Sequence, residues 1–476
     1  MSGRWVRSVP VLAAALLAAG CASVPRDAGV GEVRRAVVER SGQQLAWEPA
    51  QPIEPPTSEA LRPYLEGELT AERAVEIALA SNRDLLATLE ELGVARADFI
   101  AASTVRNPVL EGEVRFPGRP VRPFEIAVMQ TLIDLFQLGR RRALGQAEFE
   151  AVRLRVTGAV LGFAAEVRAD YYTLQAAQHA LAQQQTIADA AQASAALAQR
   201  QHDAGNITDL ELETEQALYE RAKLDFARAQ LDELQARERL LADLGVPESL
   251  PLTLPAQALP SEAGERSLAD VEAALPQRID VTLAQAEVEA ARRALPLARS
   301  EVFDELAAGV HREREPDGER TTGPAATIPI PLFDRGLAGR TRAVARLRMA
   351  EQRLHAMTVT ARSEARAARE RLLEARARAD YLRTVVVPRR QRILQLTQLE
   401  YNAMLRGPFD LLRARQELAD AEREQVLAVR DYWLARTELE AAMSGVTGFS
   451  ARPERREIPR LMLFEPDGEK EGMENH

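Results

Sequence analysis

Val109-Leu110-Glu111-Gly112-Glu113-Val114-Arg115-Phe116, followed after a short loop by Phe124-Glu125-Ile126-Ala127-Val128-Met129-Gln130-Thr131-Leu132, decides how this chain folds. In the first stretch Leu110, Gly112, Val114 and Phe116 hold the even positions, and Glu111, Glu113 and Arg115 the odd ones. In the second, Phe124, Ile126, Val128 and Leu132 share the even face, with Glu125 and Thr131 on the other. A period of two with one apolar and one charged face is a strand between an apolar medium and water. Pro117 to Pro123, with Gly118 and Pro120 inside it, reads as the turn of a hairpin.

A second hairpin comes later in the chain. Leu306, Ala308 and Val310 alternate with Glu305, His311 and Glu313 over 305–313. Ala326, Ile328, Ile330 and Leu332 share a face over 325–332, beyond the polar loop Arg314 to Thr322. Each hairpin sits in the same order of elements. A helical run at 69–104 precedes the first; a long helix near 138–203, a tight tip and a helix near 208–243 follow it. The second is flanked likewise by 268–303, 335–403 and 410–445. An internal two-fold repeat of this size sets the architecture before any motif is weighed.

The long helices, at about 66 residues, span about 100 Å, and the shorter ones, at about 36, fit two to one long helix end to end. Alanines such as Ala176, Ala177, Ala180 and Ala182 allow close helix approach. Pro276, Pro296 and Pro388 are expected to kink or interrupt their helices. Four strands cannot close a membrane barrel, because the smallest usual one has about eight and an open edge leaves backbone groups unpaired in lipid. The chain must therefore lend its strands to an oligomer, and strand count alone permits a dimer or a trimer.

The N-terminus sets the compartment. Arg4 and Arg7 precede an apolar run from Val9 to Ala19 that is too short to span a bilayer. It ends in Leu17-Ala18-Ala19-Gly20-Cys21, similar to a bacterial lipoprotein processing site, although Ala18 stands where such signals more often have Leu. Cys21 would then be residue one, carrying lipid such as palmitate, and Ala22 after it favours outer-membrane delivery by resemblance to known sorting signals. With one Cys in the chain, no intramolecular disulfide forms. No later stretch has the ~20 continuous apolar residues of a spanning helix. The net charge of −10 argues against nucleic acid as a partner.

These readings divide the chain into a signal segment (1–20), a proline-punctuated extended strap (21–67), a first repeat (68–245), a proline-rich linker (246–266), a second repeat (267–446) and an acidic tail (447–476). Pro49, Pro52, Pro55, Pro56 and Pro63 keep long helix out of the strap.

Several motifs then resemble the TolC-like outer-membrane efflux family over roughly 68–446. They are Leu69-Thr70 with Ala74, Ala78 and Ser81-Asn82; Arg106-Asn107-Pro108; and Pro329-Ile330-Pro331-Leu332-Phe333-Asp334-Arg335-Gly336 with its partner Leu132-Ile133-Asp134-Leu135-Phe136. The tips Ala204-Gly205-Asn206-Ile207-Thr208-Asp209-Leu210 and Tyr401 to Leu412 complete the set, the second being similar to heavy-metal efflux relatives. Arg83 departs from the pattern, which often has Pro there. The resemblance implies a mixed, mainly α chain that trimerises into a twelve-stranded outer-membrane barrel continued by a periplasmic helical tunnel. It also implies a periplasmic adaptor and an inner-membrane pump as partners.

Function is expected at the tips and in the barrel. Gly205 and Gly407 suit turns with unusual dihedrals, and Asp209 and Asp410 align between the repeats, each just before a helix. Helix N-capping or first-turn placement, and the lining of an aperture, are all open to these carboxylates. Glu111, Glu113, Glu125, Glu305 and Glu313 are expected to line the barrel lumen. Nothing calls for catalysis or a cofactor. Gly139, Gly205 and Gly407 form no phosphate loop, the five His are scattered, and His311 and Met404 read as wall and packing residues. A lipid-anchored periplasmic adaptor would carry one helical hairpin between β-rich segments, and a structural coiled-coil lipoprotein would need no alternating strands. Cys21→Ala is expected to abolish labelling by radioactive fatty acid while leaving insertion partly intact, because barrel and acyl chains attach independently; equal labelling of both proteins would overturn lipidation at Cys21.

Overall fold

The computed structural model describes residues 29–45, 67–116, 123–246, 252–256, 265–315, 317–333 and 335–446. The signal segment, Cys21, the first hairpin turn, parts of the strap and linker, and the acidic tail lie outside these residues. The chain is mainly helical with one small antiparallel sheet.

The order of elements occurs twice. In the first half α2 (Ala71–Ser81) and α3 (Arg83–Ala102) lead into β1 (Val109–Val114), β2 (Phe124–Thr131), α4 (Ile133–Asp203) and α5 (Asp209–Asp243). In the second half α6 (Leu268–Ala274), a 3₁₀ turn at Leu275–Gln277 and α7 (Ile279–Ala298) lead into β3 (Ala307–Arg314) and β4 (Arg320–Thr327). Then come α8 (Leu337–Tyr381), a π-helical turn at Leu382–Val386, α9 (Val387–Asn402) and α10 (Pro408–Ser444). The proline expectations divide. Pro276 sits in the 3₁₀ turn, and the π turn ends immediately before Val387-Pro388, where the ring clash with a preceding carbonyl needs relief. Pro296 lies inside α7, which continues to Ala298.

Three expectations need correction. The strap is not extended throughout: α1 (Val30–Ser41) forms in its proline-free part and buries Val30, Val33 and Val37 at helical spacing against α4. The run 69–104 is two helices, because Asn82 is extended and its side chain accepts the Leu85 N–H at 3.0 Å. The fourth strand is Arg320–Thr327, not 325–332. The apolar run Ile328 to Phe333, with Pro329 and Pro331 in alternation, leaves the sheet exposed, while Arg320 to Thr327, with its one Pro324 tolerated on an edge strand, pairs with β3.

Each half clasps its own ends. Ser81 donates to the Leu244 carbonyl at 2.6 Å and Asn82 to that of Asp243 at 3.1 Å. Gly245 packs so close that a Cβ would lie 2.8 Å from the Ser81 carbonyl oxygen. In the second half Gly445, at φ 82, packs on Arg278 and Ile279, where a Cβ would lie 2.5 Å from the Ile279 nitrogen. Arg278 is fully buried, paired with Asp280 at 2.7 Å and Glu364 at 2.9 Å, and donates to the Ala361 carbonyl. The larger apolar core joins α1 to α5 and Leu252 of the linker; a second joins α6, α8 and α10 through Val271, Leu372, Tyr432 and Leu439. The halves meet where Tyr172 of α4 stacks on Trp433 of α10 at 5.2 Å.

At the end of α5 burial, then the charges of Asp170 and Glu166, push the Asp243 carboxyl up to about 8. The folded state then keeps a proton that the unfolded chain releases, so this group costs stability increasingly as pH rises from about 4 to about 8. Asp243→Asn is expected to flatten that decline, read as thermal midpoints across the window; an unchanged slope would remove Asp243 as its cause.

Candidate functional site: the sheet faces and the helical tips

The sheet order is β1-β2-β3-β4, all antiparallel, with β1 and β4 as unpaired edges among the described residues. Register sorts the side chains. Leu110, Val128 and Val310 lie in one row, and Gly112, Ile126 and Arg312 in the next, on one face. Leu110, Val114, Ile126, Val128 and Val310 are exposed there. The other face holds Glu111, Ala127 and His311 in one row and Glu113, Glu125 and Glu313 in the next. The sequence thus places Glu111, Glu113, Glu125 and Glu313 together. Glu305 is not with them; it sits in the turn before β3.

Sequence reasoning missed Arg115. From just past β1 its guanidinium reaches Glu113 at 2.9 Å, Glu125 at 3.4 Å and Glu313 at 3.5 Å, so one cation ties three strands. The alternation put Arg115 on the glutamate face, which was the available signal. Below the sheet, buried Asp134 accepts from Arg106 at 2.7 and 2.9 Å and from Arg141 at 2.9 Å. Burial acts to raise its pKa, but the hydrogen bonds and charge of Arg106, with the charge of Arg141, outweigh it and hold the carboxyl below its ordinary range. This pair locks the entry to β1 against the start of α4, and its two residues stand in motifs already singled out.

The tips follow their sequence reading in part: Gly205 is left-handed and Asp209 and Asp410 stand in first helical turns, while Gly407 is not left-handed and neither Asp is the cap residue. At the first, Gly205 has φ 75, and Asn206 N–H closes back on the Gln201 carbonyl at 2.8 Å. Thr208, not Asp209, caps α5: its hydroxyl accepts from Glu211 N–H, and the Glu211 carboxylate accepts the Thr208 N–H at 2.8 Å. Asp209 follows the cap, is 93% exposed, and pairs with His202 Nε2 at 2.6 Å. At the second tip the left-handed residue is Met404, at φ 60, while Gly407 is extended and precedes α10 as its cap residue. Asp410 accepts the Gly407 N–H at 3.3 Å. Asp410 is therefore the counterpart of Glu211, three residues after the cap, and not of Asp209. Met404, 94% exposed, with Leu405 and Leu210, gives the tips bare apolar points.

No described helix is long and apolar enough to cross a membrane. The outer membrane efflux protein family model matches residues 74–246 and 271–445, and the chain belongs to that family. It is 24% identical over 364 residues to the cobalt-zinc-cadmium resistance protein CzcC of Cupriavidus metallidurans, covering 75% of this chain and 85% of that one. Its fold is similar to that of Campylobacter jejuni CmeC, an outer membrane channel, with TM-score 0.66 at 16% identity over 87% of this chain and 93% of that one. CusC gives TM-score 0.64 at 20% identity, over 84% and 98%.

The tip geometry separates the two glycines. Gly205→Val is expected to destabilise the first tip by about 1–2 kcal/mol, because only Gly adopts its conformation freely. Gly407→Thr, which reproduces the Thr208 cap, is expected to be tolerated. Hydrogen exchange at the tip amides measures both, and equal loss of protection would overturn the assignment.

Proposed function

We propose that this outer membrane efflux protein works as a homotrimer, passing solutes from periplasm to exterior with a periplasmic adaptor and an inner-membrane pump. The observation that carries the reading is the four-stranded sheet with two unpaired edges. In hydrocarbon those backbone groups need partners, and three copies joined β4 to β1 supply a closed barrel. The exposed apolar run Ile328, Ile330, Leu332 and Phe333 beside β4, with Leu337 of α8, supports a neighbouring protomer there. The doubled family match and doubled element order support an internal repeat with the boundaries read from sequence. Lipid at Cys21 would add a second attachment to the outer membrane.

In this reading the face with Glu111, Glu113, Glu125 and Glu313 lines the lumen, and Gly205, Asp209, Gly407 and Asp410 mark the periplasmic mouth where the adaptor docks. Among the described residues, four carboxylates against one arginine, Arg115, leave that face acidic, which concentrates cations. The likeness to a cobalt-zinc-cadmium resistance protein supports small metal cations as cargo.

Mass measurement in detergent is expected to give a trimer, and a stable monomer would defeat the tube. Single-channel recording is expected to show cation preference that weakens in Glu113→Gln with Glu125→Gln and strengthens in Arg115→Gln. Anion preference in the native channel would overturn the facing.

A further inference from the structure

Resting on the barrel reading, we propose that Arg312, Arg314 and Arg320 form a site on its outward face for the phosphate groups of a phosphorylated glycolipid of the outer leaflet. Arg314 and Arg320 are direct cross-strand partners, and Arg312 lies two residues back on the same face. Like charges placed directly opposite destabilise a strand pair, so this pairing calls for an anion between them. Among the described residues none supplies it. Glu113, Glu125 and Glu313 point to the other face and are held by Arg115. Glu315, Asp317 and Glu319 in the described part of the turn form no ion pair with the three arginines. The Arg314 Nε is shielded from solvent with no hydrogen-bond partner.

Position selects the ligand. The arginines continue the outward rows that begin with exposed Leu110, Ile126, Val128 and Val310, and Phe124 sits directly across from Arg314. Apolar residues giving way to an aromatic and arginines mark the bilayer interface. The helices leave the opposite end of the sheet, so this end meets the outer leaflet. Arginine stems lie along apolar surface while their planar heads reach headgroup depth, where each fork matches two phosphate oxygens.

The test uses the full protein in detergent with lipid A, with dephosphorylated lipid A, and with lipid A plus excess inorganic phosphate, counting bound lipid by native mass spectrometry. The native trimer is expected to hold lipid A about tenfold or more tightly than the Arg312→Gln, Arg314→Gln, Arg320→Gln triple variant. Dephosphorylated lipid is expected to bind the native protein as weakly as lipid A binds the variant. Equal binding of both lipids to the native trimer, or equal binding of lipid A by both proteins, overturns the site; displacement by inorganic phosphate overturns the glycolipid. The two-lipid comparison decides even where the variant does not assemble. A native trimer that ignores lipid A defeats this inference alone, whereas a native monomer defeats the channel reading.

Discussion

Backbone hydrogen bonding at a sheet edge is the constraint on which the rest of the structure depends. Among the described residues β1 and β4 each present a row of unpaired groups, and both flank a sheet whose one face is exposed and apolar. Water could satisfy those edges, but hydrocarbon cannot, at several kcal/mol for each group. The family to which the chain belongs places it at the outer membrane. Under the trimer proposed above, assembly of copies is a condition of the fold rather than an addition to it. The exposed apolar residues around Phe333 and Leu337 fit the same logic, since such a patch on an isolated chain favours association.

The helical body meets a different demand. Each half must return its last helix to the break between its first two, and the halves do so with different chemistry. Asn82 is a neutral polar cap shared between two helices, whereas Arg278 is a buried cation neutralised by Asp280 and Glu364. Breaking such a buried pair costs about 3–5 kcal/mol, because the remaining charge is stranded. Both solutions rely on a left-handed glycine, Gly245 or Gly445, to bring the last helix close. A common geometry is thus reached in both halves with different side chains.

Much of this was legible in the sequence, for physical reasons. Helices of tens of residues and alternating strands have long, redundant periodicity, so α4, α5, α8 to α10 and β1 to β3 fall close to their expected bounds. The fourth strand lies earlier than alternation suggests, because alternation alone ignores that Pro329 and Pro331 both lack a ladder N–H, whereas Arg320–Thr327 carries the single Pro324 on an edge strand. The tips were misaligned because two acidic residues were matched by type. The backbone instead matches Thr208 with Gly407 and Glu211 with Asp410 as cap and third residue. Contacts between distant segments, such as Arg115 with Glu313 or Asp134 with Arg106, require a register that no local pattern contains.

Register also decides what the sheet can be. A slip of one residue between strands exchanges the faces. It would carry Glu113 to the apolar side and Arg314 to the acidic one, with composition unchanged. The contacts that oppose a slip lie at both ends of the strands. Arg115 spans β1, β2 and β3 at the outer end, and Asp134 with Arg106 fixes β1 against α4 at the inner end. Between them Ala127 and Met129 are buried on the glutamate face, while their neighbours Ile126 and Val128 are exposed on the other. The same few residues therefore hold the strands in place and keep carboxylates on one face of the sheet and Arg312, Arg314 and Arg320 on the other. The acidity of that face is in this sense a consequence of register, and among the described residues one arginine, Arg115, both fixes it and partly cancels it.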